Sequence, residues 1–221
     1  MHYALCIKLC IVHCALCILL CSCRPDGVDG EVAMPFTDMA LFEGNSDSRA
    51  RFLLYPGQDQ QPVAIWHPGT ASSLNPGDMA LITYTNSTNE QYTPGEVNIR
   101  YYQPVTNGEV HTEWQDGWQA WDKDPVYLLS AWLTPGRLNL RVKLTYYTEP
   151  RVFTVAADPA TLGSDSVDLY LVHIIPATIN SHDRMYYASF TLAPIMHPGL
   201  KAVRLHVANT NLNQKVFTLN L

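Results

Sequence analysis

The sequence predicts an all-β body, and three features carry that expectation. In Leu138-Asn-Leu-Arg-Val-Lys-Leu-Thr-Tyr146 the apolar residues alternate strictly with polar ones, the period of a half-buried strand and of no helix. Short runs of β-forming residues recur through the chain, divided by Pro-Gly pairs at 56–57, 68–69, 76–77 and 135–136. No long stretch carries the 3.6-residue period of an amphipathic helix. Composition agrees: 47% hydrophobic and 15% charged residues describe an ordered globular chain, and 221 residues allow one large or two small domains, each with a core.

In chain order, the first segment is a leader. All six cysteines (Cys6, Cys10, Cys14, Cys17, Cys21 and Cys23) fall within residues 1–23, and the rest of the chain has none. Lys8 gives a weakly positive start, and the apolar run from Leu9 to Leu20 has the length of a signal-peptide core. It falls short of the about 20 apolar residues that a membrane-spanning helix needs. Leu20-Cys21-Ser22-Cys23 has the form of a lipobox, so residues 1–22 are expected to be a lipoprotein signal peptide and Cys23 the lipidated mature N-terminus. Cys21 is the competing cut site, disfavoured by the bulky Leu20 before it; an uncleaved anchor helix and a mis-assigned start codon are the other readings. Each buried methylene contributes about 0.8 kcal/mol, so several acyl chains would anchor on the order of tens of kcal/mol. A disulfide or metal framework would need thiols that cleavage removes. Residues 23–36 read as the lipidated cysteine and a polar Gly/Pro-bearing tether, in which Asp26, Asp29 and Glu31 point towards export to the outer surface. The expected address is the bacterial cell envelope, with the membrane reached through the lipid anchor.

Strands are expected at residues 39–42, 50–55, 63–67, 79–85 and 97–102, a density that suits a small barrel over residues 37–112. Asn86-Ser87-Thr88 matches a glycosylation acceptor but reads as a polar loop, and Asn107-Gly108 is a turn signal. After the tryptophan-rich bridge Trp114-Gln-Asp-Gly-Trp118-Gln-Ala-Trp121-Asp-Lys-Asp124-Pro, strands resume at 126–132, 138–146, 152–156, 167–174, 185–192, 201–208 and 216–221. That spacing argues for an antiparallel β-sandwich over residues 113–221. Within 138–146, Leu138, Leu140, Val142, Leu144 and Tyr146 should share a buried face while Asn139, Arg141, Lys143 and Thr145 meet solvent.

At this point a resemblance is visible. Asn75-Pro-Gly-Asp-Met-Ala-Leu-Ile-Thr-Tyr-Thr85 and Val97-Asn-Ile-Arg-Tyr101, behind a lipobox, resemble the first domain of the NigD-like lipoproteins. Asp124-Pro-Val, Trp132-Leu-Thr-Pro-Gly-Arg-Leu-Asn-Leu140, Leu169-Tyr-Leu-Val-His173 and Ser189-Phe-Thr-Leu192 resemble the second. The resemblance covers most of residues 36–221. It implies an OB-like barrel followed by an immunoglobulin-like antiparallel β-sandwich, in envelope lipoproteins of anaerobic Gram-negative bacteria. It brings no activity or catalytic residues. Where an Asn often follows the His of the fifth segment, this chain has His173-Ile174.

Chemistry is sparse. Catalysis needs a nucleophile, a base and an orienting group brought together. The chain has no Gly-x-Ser-x-Gly, and its histidines lack metal-ligand spacing. His182-Asp183 reads as a solvated turn, and Asp122 with Asp124 supplies too few oxygens for calcium. No catalytic residue, metal or cofactor is therefore expected. Residues 38–113 hold nine acidic residues against three basic, Arg49, Arg51 and Arg100, which argues against a nucleic-acid partner for an OB-like barrel. Trp114, Trp118 and Trp121, with Asp116, Asp122 and Asp124 between them, are the candidate ligand-binding residues, able to stack on sugar rings and accept hydroxyl hydrogen bonds. The competing reading is that these rings seal the joint between two β-domains. The expected function is a non-enzymatic binding or assembly module whose ligand the sequence does not identify, an envelope protein or a glycan, with a carbohydrate-binding accessory protein using residues 114–121 as the alternative.

Overall fold

The computed structural model describes residues 34–57, 60–146, 151–175 and 182–221. The signal peptide expected at residues 1–22, the acylation site Cys23 and the tether as far as residue 33 lie outside the described residues. Pro35–Leu221 forms one compact unit. Among the described residues it is all-β: fourteen strands, three short 3-10 turns and no α-helix.

Six strands make the first sheet: β1 (Phe36–Ser46), β2 (Arg49–Leu54), β3 (Val63–Pro68), β4 (Met79–Thr85), β5 (Gly95–Glu96) and β6 (Asn98–Pro104). Their order is β5-β3-β2-β1-β4-β6, antiparallel throughout except where β5 runs parallel to β3. Only Val97 separates β5 from β6, although they lie on opposite edges, so the chain draws those edges together and the sheet curls round its core. His67 joins the edges: the Ile99 N–H donates to its Nδ1 at 3.2 Å. Inside lie Phe42, Phe52, Leu54, Ile65, Ile82 and Tyr84, with the Phe42 and Phe52 rings 5.2 Å apart. Strand alternation sorts them: Ala50, Phe52 and Leu54 of β2 are buried, while Arg49 and Arg51 face out. At the rim the hydroxyls of Tyr84 and Tyr92 both donate to Asp38, at 3.1 and 3.0 Å. Burial, and then the Asp38 carboxylate, push the Tyr92 hydroxyl up to about 12.

The second sheet holds β7 (Thr106–His111), β8 (Tyr127–Thr134), β9 (Arg137–Tyr146), β10 (Val152–Ala157), β11 (Ser166–Ile174), β12 (His182–Thr191), β13 (Ala202–His206) and β14 (Val216–Asn220), in the order β14-β13-β11-β10-β7-β12-β9-β8. Its two edges nearly meet. Val126 bridges Asn209, and the Asn211 side-chain amide holds both backbone groups of Leu128, at 3.0 and 2.7 Å. Leu138, Leu140, Val142 and Leu144 of β9 share the enclosed core with Val155, Leu169, Phe190, Val203 and Leu205, as alternation requires.

Four expectations need correction. Pairing is not purely antiparallel: β7 runs parallel to β10 and to β12, and β11 runs parallel to β13. The first two pairings follow from β7, whose Thr106–Glu109 end pairs with β12 while Val110 and His111 pair with β10, carrying one sheet round a corner. Asn107-Gly108, expected as a turn, lies inside β7. A Cβ on Gly108 would stand 3.0 Å from the Phe190 ring, so close strand-to-ring approach, and not a turn, explains this glycine. Asn139, expected in solvent, is fully buried. His182-Asp183 opens β12, with Asp183 2.9 Å from Lys143 in an exposed ion pair.

Asn107 and Asn139 belong to a polar seam that ties the two sheets together. Asn107 behaves as a surrogate strand residue: its Oδ1 accepts from Met79 N–H at 2.8 Å and its Nδ2 donates to Met79 O at 2.9 Å. Arg137, at the start of β9, donates to Ser189 Oγ at 2.7 Å, Asn107 Oδ1 at 3.0 Å and Gly77 O at 3.3 Å. Ser189 in turn donates to Asn139 Oδ1 at 2.8 Å, and Asn139 donates to Thr134 Oγ1 at 3.0 Å. Burial draws Arg137 below its usual value, opposed by the charges of Asp78 and Tyr55.

Candidate functional site

The tryptophan segment lies on the outer face of the second sheet. Leu169 and Leu171 of β11 and Val203 and Leu205 of β13 point into the core, so Asp168, Tyr170 and Val172, and Arg204 and His206, point outwards. The parallel register sets Asp168 opposite Arg204 and Tyr170 opposite His206. Arg204 grips Asp168 with two parallel bonds, Nε to Oδ1 at 2.7 Å and Nη2 to Oδ2 at 2.5 Å, and His206 Nε2 donates to the same carboxylate at 2.8 Å. Burial alone would raise Asp168, but the hydrogen bonds and charges of Arg204 and His206 outweigh it and hold the carboxyl below its ordinary range. The Tyr170 and His206 rings stack at 4.4 Å and 15°.

Residues 112–126 cross above this face. Gly117, at φ +87°, enters a left-handed conformation that suits glycine and starts a 3-10 turn at Trp118–Ala120. The turn drops the Trp118 ring onto Ala156 and Val172, leaving it 5% exposed, with the His111 ring edge-on at 5.0 Å. Trp114 is pinned by its Nε1, which donates to Ala157 O at 2.6 Å. Trp114 and Trp121 are half-buried, and both meet Tyr170 at 68°, with centroids 5.3 and 5.0 Å away. Beside them opens a cleft of about 410 Å³ lined by Trp114, Gln119, Trp121, Asp158, Pro159 and Tyr170. Burial, then the charges of Asp168 and Asp158, push the Tyr170 hydroxyl above its usual value.

The three tryptophans expected as a set therefore separate. Trp118 packs as part of the fold, while Trp114 and Trp121 frame a cleft. The contacts these rings make are with β7, β10, β11 and β13 of one sheet, not with a joint between two domains. Asp116 and Asp122 are exposed and lie outside the cleft lining. Asp124 is turned to other work: its Oδ2 accepts from Ile175 N–H at 3.0 Å and its backbone O accepts from His173 Nδ1 at 2.8 Å. Tyr170, Asp158 and Gln119 are cleft residues that the sequence did not single out. Tyr170 carried a signal, since it stands at an outward position of an alternating strand. The signal lacked meaning until the parallel β11–β13 register was known. Among the described residues no three His, Cys, Asp or Glu side chains cluster as metal ligands.

No protein-family model matches the chain, and no curated protein matches it. Solved structures do. A protein of unknown function from Bacteroides vulgatus is 15% identical, with a TM-score of 0.65 over 85% of this chain and 90% of that one. A NigD-like immunity protein from Bacteroides caccae is 15% identical, with a TM-score of 0.59 over 83% of this chain and 90% of that one. A protein provisionally named a lipoprotein, from Bacteroides fragilis, is 10% identical, with a TM-score of 0.58 over 85% and 98%. At these identities the likeness is one of fold.

Proposed function

We propose that this chain is a non-enzymatic lipoprotein of the bacterial cell envelope, held at the outer membrane by acyl chains on Cys23. It acts as a binding or assembly module for an envelope protein, without cofactor or nucleic acid. In this reading the curled six-stranded sheet is an OB-like barrel, and the eight-stranded sheet is an immunoglobulin-like sandwich whose two layers are joined through β7. The observation that carries the reading is the cleft's position and make-up: outside the core, open, and walled by rings already held in place. The histidines support it, because His67, His173, His197 and His206 are each engaged in hydrogen bonds that serve the fold, and His111 packs on Trp118. The address rests on Leu20-Cys21-Ser22-Cys23 and gains support from the fold shared with the protein named a lipoprotein. Mass spectrometry of the native protein is expected to find Cys23 as an acylated N-terminus, and Cys23→Ala to leave the chain unprocessed and free of lipid. A native polypeptide without lipid and with its leader attached overturns the reading. A second reading, a carbohydrate-binding accessory protein, is favoured by one observation: Trp114 and Trp121 keep part of their rings open beside the cleft.

A further inference from the structure

The cleft above β11 combines aromatic walls, planar polar groups and a single charge sign. We propose that it is a subsite for a short neutral sugar, with Trp114, Trp121 and Tyr170 as the stacking surfaces and Asp158 and Gln119 as the hydroxyl partners. The proposal rests on the carbohydrate reading and gives it a place and a ligand class. At about 410 Å³ the cleft falls in the range of about 300–1,000 Å³ typical of small-molecule sites. Its three rings offer the apolar faces on which the C–H face of a pyranose packs. Asp158 and Gln119 then supply what a neutral ring with many hydroxyls needs: a carboxylate that accepts, and an amide that both accepts and donates.

Charge narrows the class. The one carboxylate in the lining is Asp158, no Lys or Arg lines the cleft, and Arg204 beneath it has Nε and Nη2 engaged on Asp168. A uronate or sulfated sugar would meet a carboxylate in the lining and no lining cation to answer it. The site is also pre-formed. Trp114 is tied to Ala157, Tyr170 is stacked on His206, and Asp158 is fixed by accepting from Ala160 N–H at 2.9 Å. Little side-chain freedom is left for a ligand to remove.

The test uses the full chain in a detergent without a sugar head group. Tryptophan fluorescence and calorimetry follow its titration with cellotriose, maltotriose, mannotriose and xylotriose, with a heparin-derived tetrasaccharide, and with choline. At least one neutral trisaccharide is expected to bind and to change the fluorescence. Trp121→Ala should weaken that binding about tenfold, the loss of roughly one stacking contact. Gln119→Ala and Asp158→Asn should each weaken it severalfold. Gln119 is exposed and Asn caps the 159–161 turn as Asp does, so neither change threatens the fold. Binding of the heparin fragment or choline alone overturns the neutral-sugar class. Neutral-sugar binding that ignores all three substitutions overturns this subsite while the carbohydrate reading survives. No binding of any saccharide by the parent chain removes both.

Discussion

The polar seam around Arg137 and the aromatic cleft around Tyr170 are made from similar groups and differ in closure. At the seam, Arg137, Asn107, Ser189, Asn139 and Thr134 satisfy one another between two sheets, and Ser189 and Asn139 are fully buried. At the cleft, Arg204 and His206 both bond Asp168, yet they do so beneath rings that keep an open side. A closed network has no capacity left for a ligand and serves to fix the two sheets in register. A network that supports half-open rings fixes a surface instead. Most of the segments that carry the NigD-like resemblance run to closed clusters. Gly77 and Met79, Thr134, Arg137 and Asn139, and Ser189 meet in the seam, while Asp124 meets His173. Those motifs are therefore signs of fold, and the cleft lies largely apart from them, sharing only Tyr170.

The largest expected effect tests whether the cleft has a foundation of its own. Trp118→Ala removes a nearly buried ring from Ala156 and Val172 and should destabilise the protein by about 3 kcal/mol, read as a lowered urea midpoint. The backbone bond from Trp121 N–H to Trp118 O, 3.0 Å long, survives the change, but the 3-10 turn that carries Trp121 loses its buried anchor, which should weaken saccharide binding indirectly. Trp121→Ala should reverse the balance, with a small stability loss and a large binding loss. Equal stability losses from the two would erase the distinction between support and surface.

Next in size is the seam. Arg137→Met keeps the stem and removes the guanidinium from four acceptors, and should destabilise by about 2 kcal/mol. The midpoint of urea unfolding should fall while saccharide affinity stays unchanged, because Arg137 serves the seam and not the cleft. A matching loss of affinity would mean that the seam positions the cleft, and the comparison of closed with open would fail.

How much of this was legible in the sequence depends on what each residue's neighbours in the chain reveal. Strands such as β4 and β9 were legible because alternation and flanking Pro-Gly pairs are local signals. β7 was not, because Asn107-Gly108 carries the composition of a turn while its two residues answer to distant partners, Met79 and Phe190. Alternation places Asn139 in solvent because it cannot distinguish an exposed amide from a buried one that finds Thr134 and Ser189. Two of the six residues that line the cleft were visible as Trp114 and Trp121. Tyr170 and Asp158 reach it only through strand pairings that sequence periodicity does not encode.

The smallest effect concerns a closed cluster with one loose end. His173 is 2% exposed, and its Nδ1–H donates to Asp124 O at 2.8 Å, which leaves Nε2 as the lone-pair nitrogen. That Nε2 is buried with no hydrogen-bond partner among the described residues, near the Phe153 ring at 6.2 Å. Protonation would place a charge and a donor where neither is answered. Burial accordingly holds the imidazole below its ordinary 6.5; the bond to Asp124 opposes the shift and Arg151 adds to it. The unfolded chain then takes up this proton at a higher pH than the folded one. The contribution to stability is complete above pH 6.5 and is lost as pH falls from there through the lower folded value. Asp168 has the same sign in a lower window: its stability is present above pH 3.8 and is lost as pH falls through the depressed folded value. Melting temperature should therefore decline between pH 7.5 and 5.5 in the parent chain. His173→Leu should melt lower at pH 7.5, having lost the bond to Asp124, and should show a shallower decline across the same interval. An unchanged slope would mean that Nε2 finds an acceptor when it is protonated, and that this cluster is less closed than the seam.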